Sequence, residues 1–291
     1  MNLASVGPLV AIWLDRRDGK QLDEISGDLG KKLLWWSLAA FLVGMTLGVA
    51  QGFILYLQAD ENFFRVLARV WDTKIFFGFW ELAFYAVCLF GYIAWWQWGK
   101  RQSIWAIVVT RLLAILAATN LLYHFPMLFS IIRMIANSAD KSTETIHAKE
   151  FLLYMAEGGV GWLSIHFTLA SIAVTGLFVS LLCLRYFKEN ESSPVVIGRG
   201  ALISLFASVT QIPVGLAFLL SISKAEQSAL MGGNILASVT FFVALLSALW
   251  LMHLTSSVAF FDREKKQVFK TCGVLVFTVL TMTMSLLLCR P

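Results

Sequence analysis

Seven stretches of the chain are apolar almost without interruption, and none shows the strict alternation of a half-buried strand. They are Leu33–Leu57, Ile75–Trp98, Leu112–Ile132, Val160–Leu184, Ala201–Ile222, Ile235–Phe261 and Thr271–Leu288. Each approaches or exceeds the ~20 residues that an α-helix needs to cross a bilayer. In hydrocarbon every backbone amide must be satisfied within its own segment or a closed barrel, and runs this long are not the short alternating strands of a barrel. The pattern predicts an all-α fold, a polytopic membrane helical bundle with seven transmembrane helices. Residues 33–291 form that single transmembrane domain, after an N-terminal segment 1–32. The first apolar run, Leu3–Leu14, is too short to span and predicts an interfacial helix. It leads into DRRDGK rather than a small-residue cleavage site, so it does not read as a cleavable signal.

Composition agrees. Of the 291 residues 58% are hydrophobic and 14% charged, and the mean hydropathy is +0.75, whereas a soluble domain carries about a quarter charged residues. The net charge of +5 is a topology signal. With alternating sides, 15 of the 23 lysines and arginines fall on the face that holds Arg16, Arg17, Lys100, Arg101, Arg111 and Arg263, and 8 on the other. The positive-inside rule then puts the N-terminus in the cytoplasm and the C-terminus outside. That distribution is not a nucleic-acid footprint. Trp35, Trp36, Trp95, Trp96, Trp98 and Trp105 mark the predicted inner border, and Trp71 and Trp162 the outer one, as amphipathic indoles do. Cys88, Cys183, Cys272 and Cys289 lie in spans or at their ends with no CxxC or CxxCH, which leaves them as small apolar side chains.

The connections are short. The longest are residues 58–74 and 133–159, both assigned outside, and Phe151–Met155 ahead of Gly158 and Gly159 predicts a short surface helix. FKENESSPVVIGRG on the inner side has linker chemistry. Gly44, Gly48 and Gly52 form a double GxxxG in the first span, a flat face for close helix packing or for a flat macrocycle.

Ionisable residues in spans are rare and mark function, so their depth matters. At 1.5 Å per residue, His124 lies about 12 Å below the outer end of its span. His166 lies about 9 Å below the outer end of the next one. Glu81 and Gln51 sit at about the same level, and Asn120 is one turn below His124 on the same face. Gln211 falls near the midplane, and His253 about 12 Å from the inner end of its span. Side chains from four helices thus share one slab of the outer leaflet.

Imidazole ligates iron, copper and zinc. Two histidines from adjacent antiparallel helices can clamp a haem iron on both axial sides, so His124 and His166 are candidate axial ligands. Arg133 is placed to meet a propionate. Gln51, Asn120 and His253 are further candidate cofactor contacts. Phe125, Phe129, Trp162 and Phe167 flank the histidines as candidate walls. Pro126, two residues after His124, removes a backbone bond and bends the helix. Glu81 is the candidate proton acceptor for a quinol, since quinol oxidation releases protons. On His124 and His166 the chain resembles the polytopic b-type cytochromes, whose ligands come from span interiors. That resemblance implies haem b as cofactor, a quinone site, and other subunits of a respiratory complex as partners. The spaced histidine pairs of complex III cytochrome b and the six histidines of haem–copper oxidases are both missing.

The expected function is therefore a membrane electron-transfer subunit, in contact with lipid, in a bacterial inner membrane. A copper- or haem-handling assembly protein, a proton-coupled transporter and a structural subunit of a membrane complex compete with it. Hydrolysis lacks its motifs, HExxH and GxSxG.

Overall fold

The computed structural model describes residues 1–14, 20–58, 60–98, 104–136 and 142–289. Arg16, Arg17, Lys100, Arg101, Lys141 and Arg290, which enter the charge balance, lie outside the described residues, as does the side chain of Trp98. Secondary structure among the described residues is entirely helical: α1 Asn2–Leu14, α2 Lys20–Leu57, α3 Glu61–Arg69, α4 Phe76–Trp98, α5 Ile104–Ala136, α6 Ala148–Met155, α7 Val160–Tyr186, α8 Ser193–Ser221, α9 Lys224–Ser228, α10 Ile235–Phe260 and α11 Lys265–Leu288. Wider π-turns precede α4 at Trp71–Ile75 and α10 at Ala229–Gly233. Seven of these helices, α2, α4, α5, α7, α8, α10 and α11, are long and apolar enough to cross a membrane. The chain is an integral membrane protein of the polytopic helical class.

Contacts divide the chain into two compact units, Met1–Thr168 and Leu169–Pro291. In the first, α1 runs antiparallel to α2. Gly7 lies over Ser37 and Gly30 beside the Ala11 carbonyl, and Ala4 and Ala11 are fully buried. The hydroxyl of Tyr85, itself fully buried on α4, donates to the Ala4 carbonyl at 2.8 Å. That bond ties α1 to α4, and Phe41 of α2 stacks on the same ring at 4.5 Å. Gly44 accommodates Met1, whereas Gly48 and Gly52 meet nothing within 4 Å, and α2 is exposed over most of Leu42–Leu57.

One end of this unit is closed by short elements. Asp60 caps α3 by accepting the Phe63 amide at 3.0 Å. The buried Arg69 donates from Nε to the Glu144 carbonyl at 2.8 Å, and the Ile146 amide returns a bond to the Arg69 carbonyl at 2.9 Å. Val66, Val70, Leu128, Ile131, Ile132, Ile135, Ile146, Phe151 and Val160 fill the core beneath them. In the π-turn the Ile75 amide reaches back five residues to the Val70 carbonyl at 3.1 Å. The turn from α6 into α7 requires positive φ at Gly158 and Gly159, 54° and 76°.

In the second unit α7 and α8 approach at Gly176 and Gly200, where a Cβ on either would meet the other's carbonyl at 2.6 Å. Ser180 donates to the Ile197 carbonyl at 2.9 Å beside this crossing. Leu177, Leu251, Leu254 and Val274 join α7, α10 and α11.

Trp35, Trp36, Trp95 and Trp105 are exposed, as an aromatic belt requires, and so are Trp71 and Trp162. Trp96 differs: it is buried, with its ring on Gly30 and Tyr92.

Candidate functional site

The site is built where α5 crosses α4 antiparallel. Asn120 and His124 are one turn apart and share a face of α5. Both address the same residue of α4. Asn120 donates from Nδ2 to the backbone carbonyl of Glu81 at 2.5 Å, and His124 Nδ1 lies 3.0 Å from Glu81 Oε1. The first bond fixes the backbone that carries the carboxylate, and the second fixes the carboxylate against the ring. The His124 and Glu81 side chains are 30% and 23% exposed, so the pair is neither sealed off nor fully solvated.

A narrow cleft with about 10 Å³ of free space, room for about one water molecule, opens on this pair, lined by Lys74, Glu81, Tyr123, His124, Met127, Leu128, Phe151 and Met155. Lys74 arrives from the π-turn and Phe151 and Met155 from α6. The Lys74 ammonium sits 4.4 Å from the centre of the Phe151 ring, a cation–π contact that holds the charge on the wall. Tyr123 meets His124 edge-on at 4.9 Å.

The bonding pattern defines the chemistry. An ionised carboxylate only accepts, so with Glu81 ionised the Nδ1 of His124 carries the proton of this bond and Nε2 of the neutral ring keeps its lone pair. That nitrogen can ligate a metal or take a proton. Glu81 can also hold a proton for exchange with the ring. Among the described residues no three histidines, cysteines or carboxylates converge to hold a metal ion. A bare copper or zinc site would use more protein ligands than this pair. A haem iron uses one or two and takes its other four from the porphyrin.

The structure brings Glu81, Asn120 and His124 together. It does not bring the remaining candidates to the cleft. His166 is on α7, half-buried with its Nδ1 withdrawn from the surface, and it does not line the cleft. Arg133 lies two turns beyond His124 on α5, outside the lining. Gln51 is exposed on α2. Phe125 and Phe129 stack on each other, 6.5 Å apart, instead of walling the cleft. In the second unit Gln211 is half-buried on α8 and His253 is exposed on α10.

Lys74, Tyr123, Met127, Phe151 and Met155 escape the sequence reading. The signals are faint: a lysine directly before an apolar run, and an aromatic and a methionine at i, i+4 on one face of a short helix.

No known protein family and no curated protein matches the chain.

Proposed function

We propose that the chain is a membrane-embedded electron-transfer subunit that presents His124 to the iron of a b-type haem. The observation that carries this reading is the Glu81–His124 bond. Histidines that ligate metals almost always engage their other ring nitrogen with a carboxylate, carbonyl or water, which sets the tautomer and raises the basicity of the ligating nitrogen. Here Glu81 does this through Nδ1 and leaves Nε2 available. The donor set fits haem better than a bare ion, because one or two imidazoles suffice. By its depth in the sequence His166 would be a second residue to hold the group, although it does not line the cleft beside His124.

When bound, the haem supplies a one-electron iron couple. The chain's own residues do the rest. Asn120 holds Glu81, and Glu81 holds the ring. Glu81 is also the acceptor for a proton from a quinol hydroxyl presented at the cleft mouth, with Lys74, which lines the same cleft, balancing charge. The proposal places the protein in a bacterial inner membrane, beside other redox subunits that exchange electrons with it. A reduced-minus-oxidised spectrum of purified protein tests it. A b-type α-band should be present in the wild type and lost in His124→Ala. An unchanged band in that variant rejects the ligand.

A second reading has its own observation. Lys74, Glu81 and His124 are three ionisable side chains in one half-open cleft, which suits a proton relay in a coupled transporter. In that case protein free of haem, reconstituted in liposomes, carries a proton flux that Glu81→Gln abolishes.

A further inference from the structure

We propose a second site, in the unit Leu169–Pro291, at which Arg263 binds a phosphate-bearing anion at the membrane border: an anionic phospholipid headgroup or free phosphate. Arg263 lies in the short connection between α10, which ends at Phe260, and α11, which begins at Lys265. A residue so close to two span ends sits at headgroup level.

Its guanidinium is seated on α8. A Cβ on Gly198 would come within 2.9 Å of Arg263 Nε and 3.0 Å of its Cζ and Nη2. A side chain at this position would displace the fork from its place on α8, and Gly198 is itself buried beneath it. Of the five N–H donors of a guanidinium, Arg263 uses one among the described residues, from Nη2 to the Ala259 carbonyl at 3.2 Å. Nε is buried with no acceptor, while Nη1 is not buried. A half-buried cation with donors unmet is costly unless an anion answers it.

No carboxylate among the described residues does so. Asp262 is the nearest in sequence, and its Oδ1 is turned to accept the Glu264 amide at 3.0 Å. Glu189, Glu191 and Glu264 lie at the same end of this unit and are exposed; none bonds to the guanidinium. The charge at this end is otherwise positive. α7 finishes with Arg185, and the first turn of α11 carries Lys265 and Lys266 with no acidic residue. Two lysines beside the unmet amides of a helix start repel the helix dipole, only partly offset by Glu264 at the N-cap. A phosphate would offset that repulsion and take up the accessible Nη donors of Arg263, because the planar fork matches phosphate oxygens two at a time.

The test uses the full chain in nanodiscs of equal parts phosphatidylglycerol and phosphatidylcholine, released for native mass spectrometry. Wild type should retain phosphatidylglycerol selectively. Arg263→Gln should lower that retention roughly fivefold, the share of one basic residue near an anionic surface. Arg263→Lys should fall between, since it keeps the charge and loses the fork. Gly198→Ala keeps every charge and disturbs only the seat, so it reports on the site if Arg263→Gln does not fold. A second arm measures the thermal midpoint of lipid-free protein with added inorganic phosphate. Lipid selectivity identifies the headgroup as the ligand. A phosphate-dependent rise without lipid selectivity identifies a soluble anion. Retention of both lipids in the bilayer ratio with no response to phosphate, or full retention in Arg263→Gln and Gly198→Ala, overturns the site.

Discussion

The coupling between Glu81 and His124 can be isolated from everything else in the bundle. With His124 neutral and Glu81 ionised, the ring Nδ1–H donates to the carboxylate across 3.0 Å, a hydrogen bond to a charged group, of the kind that contributes about 1.5–3 kcal/mol. The side chains are 30% and 23% exposed, so water competes for both groups and a net coupling of about 1–2 kcal/mol follows. The measurement is a double-mutant cycle of Glu81→Gln and His124→Ala, with unfolding followed by circular dichroism in detergent micelles. Glutamine keeps the length of the side chain and its acceptor oxygen, so the cycle reads mainly the charge. The single variants should be non-additive by about 1 kcal/mol or more, beyond the ~0.3–0.5 kcal/mol scatter of independent sites. Additivity within that scatter would falsify the dyad as a coupled unit, and the ligand proposal would lose its basis.

Further outcomes follow from other contacts. Tyr85→Phe keeps the ring against Phe41 but removes the bond to the Ala4 carbonyl; unfolding should become easier by about 1–1.5 kcal/mol, and an unchanged midpoint would mean that α1 is held by packing alone. Gly200→Ala forces a methyl against the Gly176 carbonyl and should destabilise by about 1–3 kcal/mol, as overpacking does; a neutral result in thermal unfolding would show that α7 and α8 do not cross this closely. His253→Ala should leave both the thermal midpoint and the haem spectrum within error, because the ring is exposed and makes no bond to the described residues; loss of a b-type band would make it a ligand. Asn120→Ala should shift the redox midpoint of any haem and retain its content, since Asn120 acts through the backbone of Glu81.

The seven spans were legible because each apolar run approaches or exceeds the ~20 residues that cross a bilayer. Their ends were not. α5 begins at Ile104 rather than Leu112, α8 at Ser193 rather than Ala201, and α11 at Lys265 rather than Thr271. In each case the apolar run was cut at a charge, Arg111, Arg199 or Lys270, whose long aliphatic stem allows the helix to continue while its head reaches water. Depth along a helix was enough to bring Glu81, Asn120 and His124 together. It was not enough for Gln51, because counting residues gives a level and not a direction around the axis. Lys74, Phe151 and Met155 were invisible for another reason. They reach the cleft only because Arg69 and Ile146 lace two connections together, and no local pattern encodes that meeting.

The π-turn at Trp71–Ile75 fixes the angle at which Lys74 meets the cleft. It spends one residue more than a regular turn would. Deleting Ile75 would rotate Lys74 by about 100° relative to α4, and the ammonium would leave the cleft that it lines with Glu81. The spacing between lysine and glutamate thus works as a dial set at one position, and chain length at this joint is constrained even where side-chain identity is not.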